Sequence, residues 1–133
     1  MDSTLHEYQT LDHGEGFYEI SIHDFAHATV VAFNNDMEAI RINVDSSTPI
    51  RLLIDLGSIT SATRQGLLHF LRPIEIISAN REVSVAMVAR NLLVFAMLRT
   101  YLREHQNVIH ADLFQARGDA VQWLTQHIQE ENS

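Results

Sequence analysis

Three arginines are the residues best placed for chemistry. Arg64, Arg90 and Arg117 each come shortly after an apolar, strand-like run and just before a stretch with helical periodicity. Open α/β sheets meet their ligands beyond the carboxyl ends of the strands, so loops of this kind gather at one edge. There the leading backbone N–H groups of each helix, and the helix dipole, already favour an anion. Asp55, Ser58, Ser61, Thr63, Gln65 and Asn91 belong to the same loops. Together they describe an edge suited to a phosphate-bearing ligand, or to an acidic or phosphorylated loop of a partner protein. The alternative is that the arginines are solvated loop residues pointing in different directions.

Catalytic and metal chemistry find less support. Asp55 ends a strand, a common place for a catalytic carboxylate, but no second titratable group accompanies it to make an acid–base pair. There are eight histidines. His23 and His27 are four apart, yet the first ends a strand and the second opens a helix, and metal sites need three or four converging ligands. No nucleophile elbow, glycine-rich phosphate loop or dinucleotide fingerprint occurs. The expectation is a protein that is not an enzyme and holds neither metal nor cofactor.

A second kind of site is apolar. Leu92 to Leu98 is an uninterrupted run of seven apolar residues within an expected helix from Leu92 to Glu104, which Asn91 can cap. A helix apolar on all sides over two turns is buried on more than one face. Leu92, Leu93, Phe95, Met97, Leu98 and Tyr101 then form an oligomer interface or line an apolar ligand pocket, unless neighbouring helices and the sheet cover them.

The elements that carry these residues follow from periodicity. Leu5–Leu11 and Phe17–Ile22 read as a hairpin around the turn-rich Asp12–Gly16, the second arm alternating with a period of two. Val30, Phe33, Met37, Ile40 and Val44 form the stripe of an amphipathic helix, with Asp24 as cap and Pro49 beyond its end. Ile50–Leu56 and Val83–Ala89 are buried strands, and Val108–Phe114 is the last strand. A helix from Ala62 to Ala79 is expected to kink or divide at Pro73, with Ser61 or Thr63 able to cap it. Asp119 and Gln122 resemble a capping box opening a final helix to Ile128, with Gln129 to Ser133 as a frayed tail. Strand–helix alternation implies a mostly parallel sheet of four to five strands with about four helices, an α/β single domain spanning the chain.

The segment Leu52–Leu67, LLIDLGSITSATRQGL, resembles the signature of STAS domains, the modules of anti-sigma factor antagonists and sulfate-transporter tails. Asp55, Leu56, Ile59, Thr60, Gly66 and Leu67 match its pattern without a gap. The closing LFQARGDAVQWL resembles the last strand and helix of the same family and of its Sec14-type relatives. The resemblance implies a STAS-like fold, a regulatory style of function, and Asp55 as an acceptor that orders its loop. It departs where the family carries Asp-Ser-Ser with a phosphorylated second serine: here stand Thr63, Arg64 and Gln65. A fixed glutamine cannot be toggled by adding about two negative charges, so no phosphoswitch is expected there.

Composition bounds the rest. The chain has 133 residues, a formal net charge of −8, no cysteine, and arginine as its only strongly basic residue. An acidic surface repels nucleic-acid backbones, and no disulfide or thiolate-zinc site is possible. No apolar run approaches the roughly 20 residues that span a bilayer, and the start is not that of a secretory leader, so a cytoplasmic location is expected. The reading is a non-catalytic regulatory or scaffolding module. It binds a protein partner through the Gly57–Gly66 edge and forms a homodimer through the helix at Leu92–Leu102. The alternative is a carrier or sensor of a small apolar or lipid-like ligand beneath that helix.

Overall fold

The computed structural model describes residues 8–9, 17–45 and 47–132, and of residues 8–9 and 127–132 the backbone alone. Its elements are β1 (Tyr8–Gln9), β2 (Tyr18–Ser21), α1 (His27–Asn43), β3 (Ile50–Asp55), α2 (Arg64–Ser78), β4 (Val83–Val88), α3 (Leu92–Glu104), β5 (His110–Phe114) and α4 (Arg117–Asn132). The strands lie in the order β1-β2-β3-β4-β5, with β1 antiparallel to β2 and every later pair parallel. The α/β reading therefore holds, with four helices around a mostly parallel sheet. The expected hairpin turn, Asp12–Gly16, lies outside the described residues.

The topology decides which face each helix covers. Parallel crossovers are right-handed, so stepping always to the next neighbour puts every crossover helix on the same side. Accordingly α1, α2 and α3 share one core with Ile20, Leu52, Ile54, Val85 and Met87 of the sheet. The opposite face carries Leu53, Ala86 and Val88, and is covered by Ala120 and Leu124 of α4 together with Phe17. The strand order never reverses within the parallel portion. Such a sheet has no switch point to open a crevice, and the edge loops lie side by side instead.

Several element boundaries differ from expectation for local physical reasons. α2 starts at Arg64, and of the two candidate caps it is Thr63 whose Oγ1 accepts from the Gly66 N–H at 3.0 Å. Pro73 does not divide this helix: α2 runs through it to Ser78, with the ring buried on the α1 side beside Met37. Packing there offsets the lost backbone bond. α1 starts at His27 without a side-chain cap. Asp24 instead accepts from the Thr29 hydroxyl and the Ala26 N–H, which in that order hold its carboxyl below the usual carboxylate range. α4 begins at Arg117, so Asp119 sits inside the first turn rather than capping it, and the helix continues past Ile128 to Asn132. There the carboxylate still complements the dipole.

Candidate functional site at the carboxyl edge

Three consecutive loops build the edge. At the end of β3 the Asp55 Oδ1 accepts from the Gly57 N–H at 2.8 Å, turning the chain sharply. A side chain at Gly57 would crowd this turn: its Cβ would stand 2.9 Å from Asp55 Oδ1 and 3.5 Å from Arg90 Nε. The buried Ile59 then anchors the loop in the core, while Ser58, Thr60, Ser61 and Thr63 remain exposed. From β2, the exposed His23 reaches over, its Nδ1 2.7 Å from Ser58 Oγ. From β4, Asn91 caps α3 by accepting from the Leu93 and Val94 N–H groups at 3.0 and 3.1 Å. Its amide nitrogen also donates to the Thr60 carbonyl at 3.1 Å. One asparagine thus starts a helix and ties the neighbouring loop to it.

Two hollows result. A broad open depression of about 550 Å³ is lined by His23, Phe25, Ser58, Thr60, Ser61 and Thr63, among others. A smaller polar pocket of about 180 Å³ lies between Ser21, His23, Asp55, Gly57, Ser58 and Arg90. Gln65 is exposed in the first turn of α2.

The three arginines stand in three different settings. Arg90 lies over Gly57 at the small pocket. Arg64 lines a groove of about 190 Å³ between α2 and α3, with Leu67, Leu68, Met97, Thr100, Tyr101 and Glu104. Arg117 makes a two-pronged ion pair with the nearly buried Glu19, Nε to Oε2 at 2.8 Å and Nη2 to Oε1 at 2.6 Å. The cause is topological: α4 packs on the opposite face of the sheet from α2 and α3, so its first residue faces β2 there.

The apolar set on α3 also divides. Leu98 and Tyr101 are in the core, Phe95 and Met97 are half-buried, and Leu92 and Leu93 are 72% and 63% exposed. The fold itself therefore leaves the start of this helix uncovered. Arg99 lies over the Phe95 ring, 4.9 Å from its centroid. The Tyr101 hydroxyl donates to Glu75, and His105 stacks on the Tyr101 ring with centroids 4.1 Å apart. Burial, and then that hydrogen bond, hold the Tyr101 phenol well above its usual range.

Residues that sequence reasoning passed over include His23 as a partner of Ser58, Phe25 against Phe70, and the Glu19–Arg117 pair. Only Glu19 carried a signal, as a charged residue in the alternation of a half-buried strand. Its partner is 98 positions away, which no local pattern reveals. Among the described residues no cluster of three or more histidines, cysteines or carboxylates is placed to hold a metal ion, and no helix is long and apolar enough to cross a membrane. No family model, curated protein or solved structure matches the chain.

Proposed function

We propose that this protein is a STAS-like regulatory or scaffolding module that acts in the cytoplasm without catalysis. It binds a protein partner through the Gly57–Gly66 edge and pairs with a second copy through α3. One observation carries the reading: the exposed Leu92 and Leu93 stand directly beside the hydroxyl-bearing loop, which Asn91 ties to their helix. A polar rim next to exposed large apolar side chains is the anatomy of a protein-binding surface. The ligand-carrier alternative is less well served. The groove beside α3, at about 190 Å³, falls below the roughly 300–1,000 Å³ of small-molecule sites. The space beneath the helix is filled by Val94, Leu98 and Tyr101.

Site-specific photo-crosslinking tests the partner surface. A benzophenone side chain is placed at Ser61, at Leu92, or at the exposed Asn35 of α1 as control. The expected result is one adduct of the same added mass from Ser61 and Leu92, a mass different from that of a second copy of this chain, and none from Asn35. Absence of adducts, or the same adducts from all three positions, would remove the partner reading.

A further inference from the structure

We infer that the groove between α2 and α3 is the self-association surface, and that a second copy of this chain docks in it antiparallel, with Arg64 of each copy against Glu104 of the other. This rests on the self-association part of the reading above and specifies its geometry. α2 and α3 both return from parallel strands, so they run in the same direction. Arg64 occupies the first turn of α2 and Glu104 the last turn of α3, so the groove has a cation toward one end and an anion toward the other. Among the described residues neither makes an ion pair within the chain.

Between these ends the lining is mainly apolar. Leu68 is 38% exposed and Met97 half-buried, and Leu93, four residues before Met97, extends the same stripe. A twofold axis through the middle of the groove makes this arrangement self-complementary, because an isologous interface pairs each residue with its counterpart's partner on the other copy. The apolar middle then meets itself and both charged ends are matched. A parallel pairing would oppose like charges at each end. Self-matching by charge is what favours a second copy over an unrelated amphipathic helix as the occupant.

Sedimentation velocity over the micromolar range tests this with three surface variants, R64E, E104R and the combined R64E/E104R. The wild type is expected to dimerise reversibly. Each single reversal creates two like-charge contacts by symmetry, and the dimer should weaken about tenfold. The combined variant restores both pairs with exchanged signs and should recover wild-type affinity. A dimer indifferent to the single changes, or one that the combined variant fails to rescue, overturns the antiparallel register. A wild type that stays monomeric at every concentration overturns self-association as well, and leaves the crosslinking test of the loop edge untouched.

Discussion

Asp36 shows how environment sets the behaviour of a single carboxyl. Partial burial on α1 pushes it up to about 6, whereas Asp24, on the next loop back, is held low by the hydrogen bonds it accepts. The sign of the stability effect follows from linkage. A carboxyl whose folded value lies above its unfolded one binds more protons when folded, so stability falls as pH rises through that interval. Well below pH 3.8 the group is protonated in both states and costs nothing; well above about 6 the full cost applies. Asp36→Asn should therefore stabilise the protein at about pH 8, by about 1 kcal/mol after allowing for partial exposure, and should make almost no difference at about pH 3. Urea unfolding of both proteins at the two pH values checks this. An equal difference at both would show that the gain is helix propensity rather than charge.

At the scale of elements, α3 depends on its first residue. Asn91 satisfies two backbone donors of the helix and a carbonyl of the adjacent loop at once. Asn91→Ala should cost about 1–2 kcal/mol, the upper part of the range for a helix cap, because a loop contact is lost with it. Hydrogen exchange should accelerate at Leu93 and Val94 first, and at Ile59, whose N–H donates to the Leu56 carbonyl, as the loop loosens. Unchanged exchange in the loop would mean that the Thr60 bond contributes nothing. This cap was legible in the sequence, as was the helix it opens, because an asparagine directly before a long apolar run admits few other readings. The buried strands β3 and β4 were equally plain from their continuous apolar runs. The start of α4 was not, since Arg117-Gly118 has the look of a loop and only the docking of Ala120 and Leu124 on the sheet draws the helix back over it. The same limit applied to the site. The loops of the carboxyl edge could be placed from strand ends alone, but which face of the sheet received α4 could not. That choice separates Arg117 from Arg64 and Arg90 and gives it to Glu19.

The molecule as a whole is lopsided. Among the described residues, three helices pack on one face of the sheet and α4 on the other, where the buried cluster is the smaller and includes two alanines. Among the described residues of α4, Ala120 and Leu124 are fully buried in that cluster, and Leu124 is the larger of the two. Truncating it removes transfer energy and leaves a void between rigid neighbours, so Leu124→Ala should cost about 2–4 kcal/mol. The loss is local to one helix, which gives it a signature beyond its size. The single tryptophan, Trp123, lies on α4 against His110 and Phe114, so its fluorescence reports docking of that helix alone. Far-ultraviolet circular dichroism reports all four helices. In the wild type the Glu19–Arg117 pair and the Leu124 contacts should keep the two faces coupled, and both probes should give one transition. In Leu124→Ala the tryptophan signal should change at lower denaturant than the dichroism, as α4 detaches from a sheet still covered by α1, α2 and α3. Coincident transitions in the variant would show that the two faces fold as one unit, and that the face covered by α4 is not a separable weak side.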